Sequence, residues 1–439
     1  MLDYIFQKLE RFLPLKYRWI LNHDGFKRYF ANTGWMFAGQ MFSLLVSFFI
    51  GAWLARYLGP ENYGVLSYAV AFVGLFGFVA SLGVDGILNR ELVEFPEKRD
   101  ELLGTAFRLK LIGGTIAIVL CVAGAFIFQT SSIIRLLIIL FSLTFILQTI
   151  NIISTYFLAE VKSKINVKTI LTATLISSIL KVAIILSGKG VIWIMIIFVL
   201  DLFWQGVGLV SAYRKFGLKI KNWFYNKILA REMLKNAWPL MLAAAAWYIY
   251  IRIDQVMVGA LLGNLAVGIY AAAVKIAEIW NFIPGIIFAS LFPAIINAKN
   301  TDLQIYKRRL KALYLLMAGI SLSIAVVTTI LAPWLIILLF GKAYFSAIII
   351  LRIYVWSGVG LFIGGAINQY FLTENRSRHI FLYNLLSMLL NVVLNFILIP
   401  RVGLTGAAWA TLISYSAGPI VVAVMELLKI SGDRKIIRN

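Results

Sequence analysis

The sequence predicts an all-α polytopic membrane protein of about twelve transmembrane helices, in two six-helix bundles around a central cavity. Three observations carry this. Of the 439 residues, 61% are apolar and only 14% charged, against roughly a quarter charged in soluble domains. Apolar runs of about 20 residues, the length a helix needs to cross a bilayer, follow one another along the chain. Two short phrases of the first half also recur in the second. So many near-uncharged spans do not occur in a soluble core.

The chain opens on an amphipathic segment, residues 1–30, that mixes Lys and Arg with Leu, Phe and Trp. Leu2, Ile5, Phe6 and Leu9 share one helical face, which suits a helix lying on the cytoplasmic membrane surface rather than a cleavable signal. Six spans follow, at about 31–55, 64–88, 106–128, 133–159, 167–187 and 191–213. A basic cytoplasmic linker, 214–236, separates the first bundle (31–213) from the second (237–429). The second bundle has spans at about 237–261, 266–297, 310–340, 345–372, 380–400 and 403–429, and a cytoplasmic tail closes the chain at 430–439. The long 310–340 span is expected to break at Pro333. Pro284 and Pro293 should kink the eighth span by removing backbone donors. The single cysteine, Cys121, sits in an apolar run and reads as a small packing residue.

The net charge is +22 from 41 basic and 19 acidic residues. In a soluble domain this would suggest nucleic acid, but no nucleic-acid motif is present. Sorted by the expected spans, 32 of the 41 basic residues fall on the side of the termini and five on the other; four lie inside spans. Basic loops stay cytoplasmic, so both termini are expected in the cytoplasm and the span number is even.

The repeat explains the architecture. YFLAEVKSK at 156–164 returns as YFLTENRSR at 370–378, and LGPENYGVLSYAV at 58–70 returns as LGNLAVGIYAAAV at 262–274. The two offsets differ by ten residues, which places a small insertion between the echoes of the second half. Six spans per half is an even number, so the halves cross in the same sense, related by an axis along the membrane normal, a plan found in transporters. Gly59 and Gly263 mark the outer turn of each half. Gly64 and Gly268 open the helices that follow, where a missing side chain lets backbones approach.

WLARYLGPENYGVLSYAVAF, the two-part repeat, IRIDQVMVG at 251–259 and VGLTGAAWATLIS at 402–414 together resemble the polysaccharide-biosynthesis flippases. These are the Wzx-type O-antigen and repeat-unit exporters of the MOP superfamily, which also holds the MATE transporters. The resemblance covers about 32–429. It implies a MOP/MATE-like fold with two bundles around a cavity. It also implies a polyprenyl-diphosphate-linked oligosaccharide as substrate, moved from the cytoplasmic to the outer leaflet of the cell membrane.

Four basic residues fall inside spans, Lys181, Arg252, Lys275 and Arg352, with three acids at similar depth, Asp201, Asp254 and Glu278. Asp85 lies nearer the cytoplasmic end of its span. A charge at mid-bilayer costs ~2.5–3.5 kcal/mol on insertion scales, so these groups face a wet cavity or one another. Lys275 and Glu278 share a helical face; Arg252 and Asp254, two apart, point in different directions. With the resemblance, Arg252, Lys275, Arg352 and Lys181 become candidate diphosphate ligands, because Arg binds phosphate oxygens in bidentate fashion and Lys as a point charge. Asp254, Glu278 and Asp201 become candidate sites for a coupling H⁺ or Na⁺. Trp247, Tyr248, Tyr250, Tyr270 and Trp280 read as packing or interface residues, with sugar stacking as the second reading. His23 and His379 lie outside the spans and offer no intramembrane relay.

The competing reading is a proton- or sodium-coupled multidrug or organic cation antiporter of the same superfamily. The excess of basic groups at cavity depth favours an anionic substrate. No metal cluster, acid pair or glycine-rich phosphate loop points to an enzyme, and no metal or cofactor is expected. The expected partners are the lipid-linked oligosaccharide, the coupling ion, membrane lipid and proteins of polysaccharide assembly.

Overall fold

The computed structural model describes residues 24–129, 131–374 and 376–436, with side chains between 34 and 421. The surface segment expected over 1–30, with Leu2, Ile5, Phe6 and Leu9, lies outside the described residues up to position 23. Among the described residues every regular element is helical. In chain order these are α1 (Asp24–Gly74), α2 (Gly77–Ser81), α3 (Val84–Glu94), α4 (Arg99–Phe128), α5 (Ser132–Ser142), α6 (Thr144–Leu147), α7 (Ile152–Ala159), α8 (Ser163–Leu186) and α9 (Val191–Lys215). Then come α10 (Lys227–Tyr250), α11 (Ile253–Leu262), α12 (Asn264–Glu278), α13 (Phe282–Thr301), α14 (Leu303–Leu339), α15 (Ala347–Tyr354), α16 (Ser357–Thr373), α17 (Ser377–Val402) and α18 (Leu404–Ile436).

Nine of the described helical stretches are long and apolar enough to cross a membrane, and α10 with α11, bent by 42°, makes ten. The chain is a multi-pass membrane protein. α1 holds two spans, because Gly59 (φ 69°, ψ 168°) breaks it without a loop. The arrangement is consistent with two bundles.

Several spans are broken where hydropathy suggests straight rods. The second span is interrupted by Leu82 and Gly83, both left-handed (φ 51° and 69°). Gly83 is required there: a Cβ would lie 2.7 Å from the Ala237 carbonyl oxygen and 2.8 Å from the Met241 nitrogen. The fourth span tightens into a 3-10 turn at Gln148–Asn151. In the eighth, a 3-10 turn at Ile279–Asn281 separates α12 from α13; Pro284 has no N–H to donate to the carbonyl of residue 280, so the regular ladder fails there. The helix then continues through position 293. The break expected at Pro333 does not occur, and α14 runs through it. α10 starts at Lys227, not near 237, because the Asn226 side chain caps it, accepting from the Ile228 and Leu229 amides at 2.8 and 3.3 Å.

Three apolar cores hold the helices. The largest spans both halves and joins Leu54, Tyr63 and Phe72 of α1 to Val267 and Tyr270 of α12 and to Leu351 of α15. A second packs α3, α4, α7 and α9 with the start of α10. The third belongs to α13, α14 and α16 alone. The shared core sits beneath a backbone crossing. A Cβ on Gly64 would overlap the Asn264 carbonyl oxygen, and one on Gly268 would overlap that of Pro60. The Tyr344 hydroxyl donates to the Ala55 carbonyl at 2.7 Å beside it.

The repeated phrase forms a tied turn in both copies. In the second, Glu374 accepts from the Tyr306 hydroxyl at 2.8 Å and pairs with Lys299 at 3.2 Å. In the first, Glu160 pairs with Lys162 at 3.2 Å, and Lys162 lies over the Phe216 ring. Burial pushes the Glu374 carboxyl up, but Tyr306 and Lys299, with Arg376 beyond, outweigh it and hold it below the ordinary glutamate range.

Gly64→Val or Gly268→Val should each lower the thermal midpoint of the detergent-solubilised protein, by an overpacking cost of about 1–3 kcal/mol; an unchanged midpoint would show that the crossing is not tight. The depressed Glu374 pKa stabilises the fold above the unfolded-state value of about 4.3, and this contribution is lost as pH falls through the lower folded-state value. Glu374→Gln should therefore cost stability at neutral pH, and the difference from wild type should shrink on acidification, read from thermal midpoints across a pH series.

Candidate functional site

A cavity of about 480 Å³ opens between the halves, walled by α1, α8, α9 and α12 and by the break between α10 and α11. Its size falls within the ~300–1,000 Å³ usual for small-molecule sites. Four of the seven intramembrane residues singled out from sequence line it: Lys181, Arg252, Lys275 and Glu278.

The local fold places each one. Arg252 is the residue at which the seventh span breaks, just before the first residue of α11. Its aliphatic stem rests on Gly74, whose Cβ would lie 3.5 Å from the Arg252 Cγ. The break therefore presents a guanidinium, which attracts anions, to the cavity, while the Gln255 amide of the α11 first turn is taken by Asp254. Lys275 comes from α12 and points across the cavity at α1, where any side chain on residue 51 would collide with its ammonium. Gly51 is thus needed for the Lys275 position. Lys181, from α8, lies 4.7 Å from the centroid of the Phe198 ring, a cation–π contact. Among the described residues none of these three cations has a carboxylate within 4.0 Å.

The acids are held differently. Lys275 and Glu278 share a cavity wall but form no ion pair; Glu278 accepts from the Tyr354 hydroxyl at 3.1 Å instead. Asp254 turns away from Arg252 into the packed interior, as two-residue spacing requires. It is buried, accepts from the Tyr270 hydroxyl at 2.6 Å and is capped by the Gln255 amide at 2.7 Å. Asp201, on α9, is partly buried beside Lys181, close enough for their charges to interact, but does not line the cavity. Arg352 stands apart as well: it is exposed in a separate groove with Trp356 and Trp409, where its Nε donates to the Thr329 carbonyl at 3.3 Å.

Sequence reading missed the hydroxyl and amide groups around Asp254. The Tyr270 hydroxyl lies 3.5 Å from the Thr411 Oγ1. On neighbouring helices, Asn391 donates to Ser414 at 3.1 Å and Asn395 to Asn391 at 3.0 Å, all buried. Among the described residues Asn395 Oδ1 has no donor. Tyr250 stacks on Tyr415 at 4.3 Å, whereas Trp247 and Trp280 face outward. The recurrence of Asn at 391 and 395, one helical turn apart in an apolar span, was the available signal.

Residues 29–299, more than half the chain, match the family model described as polysaccharide biosynthesis protein. The chain belongs to that family. A relative, the probable flippase AglR of Haloferax volcanii, is 25% identical over 271 residues, covering 58% of this chain and 53% of AglR; the chain thus matches about half the length of that relative. The fold is shared with two solved structures. An inward-facing multidrug resistance MATE family transporter of the MOP superfamily aligns with TM-score 0.76 at 15% identity, over 90% of this chain and 96% of that one. The lipid II flippase MurJ in an inward closed conformation aligns with TM-score 0.70 at 17% identity, over 87% of this chain and 85% of MurJ. In this member of the polysaccharide biosynthesis family, the broken seventh span puts Arg252 and Asp254 on opposite sides of one helix start.

Tyr270→Phe removes the hydroxyl that Asp254 Oδ2 accepts from inside the packed interior. The expected cost is about 1–3 kcal/mol, read as a lower thermal midpoint, and Asp254→Asn in the same background should recover part of it. No recovery would mean the carboxylate is satisfied elsewhere.

Proposed function

We propose that the protein is a flippase. It moves a polyprenyl-diphosphate-linked oligosaccharide, a polysaccharide repeat unit, from the cytoplasmic to the outer leaflet of the cell membrane by alternating access. The observation that carries this reading is the cavity with three cations, Arg252, Lys275 and Lys181, and no carboxylate in contact with them. A diphosphate supplies several oxygens and the missing negative charge. The excess of positive charge would be costly without such a ligand. Family membership and the likeness to AglR support the reading.

In this scheme the diphosphate engages Arg252 and Lys275, the sugars enter the space between the halves, and the prenyl chain stays in the bilayer. The Gly64–Gly268 crossing closes the outer end while substrate loads. Asp254 and Glu278 serve ion coupling: H⁺ or Na⁺ bound at Asp254, among Tyr270, Thr411 and the Asn391–Asn395 pair, resets the inward state. Asp201 modulates Lys181, and Arg352 acts from the lipid-facing side. Both termini lie in the cytoplasm, and transport involves no covalent chemistry. Proteins of polysaccharide assembly would receive the product.

The MATE-like fold and the buried Asp254 favour a second reading, an ion-coupled antiporter of organic cations. Purified protein in proteoliposomes containing a polyprenyl-diphosphate oligosaccharide separates the two. The flippase reading expects protein-dependent exposure of the sugar to an external glycosidase, changed by a pH or Na⁺ gradient. Arg252→Ala should lower the rate at least ~100-fold, the loss of a buried charge-assisted contact, with expression intact. Exchange of an organic cation for H⁺ without sugar exposure would instead establish the antiporter.

A further inference from the structure

A second chamber, of about 300 Å³, lies where the first half meets α10 and has a different chemistry. Its one cation and one anion neutralise each other: Lys110 donates to Asp85 at 2.7 Å. The remaining polar wall is amide and hydroxyl. Gln148 and Asn151 come from the 3-10 turn of the fourth span, and Gln205 from α9. Among the described residues these three amides make no hydrogen bond to protein. Each therefore offers donors and acceptors to whatever occupies the space.

The backbone is shaped around this chamber. Two of the five spans that wall it are broken at its level, one at Leu82 and Gly83, the other at Gln148–Asn151. Irregular backbone at membrane depth is tolerated where it is buried in protein or lines a wet cavity, and a left-handed leucine is a strained residue of the kind found at functional sites. The ring of Tyr248, from α10, forms one wall; it lies across Gly77, where a Cβ would sit 2.7 Å from the ring.

The chamber adjoins the cationic cavity. Gly74 touches the Arg252 stem and Gly77 the Tyr248 ring. Only the short breaks after Gly74 and after Tyr250 separate these two contacts, which puts the chamber next to the Arg252 end of the cavity. A neutral chamber rich in unoccupied amides suits polyhydroxyl groups, not a phosphate and not an acyl chain. The Tyr248 ring supplies the flat apolar surface on which a sugar face stacks.

We infer that this chamber is the sugar-binding subsite of the transporter, in which Gln148, Asn151 and Gln205 hydrogen-bond the saccharide next to the diphosphate and set which sugars are accepted. The inference rests on the flippase reading and names a determinant of its specificity. Hydrogen-bonding sites of this kind discriminate strongly, because a sugar lacking the matching hydroxyl leaves their polar groups unpaired.

The test measures binding to the full-length protein in nanodiscs with two probes: farnesyl diphosphate, and farnesyl diphosphate bearing one of a panel of disaccharides. Wild type should bind at least one sugar-bearing probe ~10-fold more tightly than the sugar-free one, the effect of one or two net hydrogen bonds. In the Gln148→Leu/Asn151→Leu/Gln205→Leu variant that ratio should fall to about one, with farnesyl diphosphate bound as before, which also reports that the variant is folded. A single Asn151→Cys variant gives a second reading against the buried Cys121: the sugar-bearing probe, not farnesyl diphosphate, should slow maleimide labelling. A ratio that survives the triple variant overturns the subsite and leaves the flippase reading standing. So does a wild-type ratio of one across the panel. If neither probe binds wild type, the diphosphate reading fails first and the subsite falls with it.

Discussion

The two halves are fastened where the fold removes side chains altogether. At Gly64 and Gly268 the backbones approach so closely that the carbonyls of Asn264 and Pro60 occupy the places where Cβ atoms would be. Apolar side chains gain little by leaving lipid for one another, so close packing is what the membrane rewards. The largest apolar core lies beneath this crossing and belongs to both halves. The cationic cavity opens within it, for Leu54, Tyr63, Leu66, Ala271 and Val274 belong both to this core and to the cavity wall. Crossing, shared core and cavity form one graded arrangement, tight at one end and open between the halves.

The charged groups follow the same economy. Intramembrane charges persist where solvent, a partner or a ligand meets them. Here the acids are provided for by hydroxyls, Asp254 by Tyr270 and Glu278 by Tyr354. The cations are left facing the cavity. An internal Lys275–Glu278 pair would have neutralised one wall, and its absence keeps the cavity electropositive. The same helix break that exposes Arg252 turns Asp254 inward, so one local irregularity separates an anion-facing group from a buried acid by two residues.

Much of this was legible in the sequence, because the bilayer enforces simple rules. The succession of apolar helices and the repeated glycines follow from hydropathy and from the two echoes, and the gathering of Lys181, Arg252, Lys275 and Glu278 followed from their shared depth. What escaped was whatever tertiary contact decides. Arg352 has the same composition signal as Lys181, yet its helix turns it toward the outer face. Pro333 looked like a break, but α14 absorbs it, while the breaks at Leu82 and at Gln148–Asn151 carry weak local signals. Asn391, Asn395, Thr411 and Tyr270 are common residues that become notable only when three helices bring them together.

One further consequence comes from α10. Its opening turns belong by order to the second half, yet Ala230, Met233 and Ala237 are buried among Leu88, Leu103 and Tyr213 of the first. The connecting segment is pinned there too: Phe224 lies against Gly104, and the Asn226 amide donates to Thr105 at 3.1 Å. During synthesis the first six spans emerge with an apolar notch still open. That notch closes only when the chain has been made past residue 237, so the first half finishes folding on a piece of its successor.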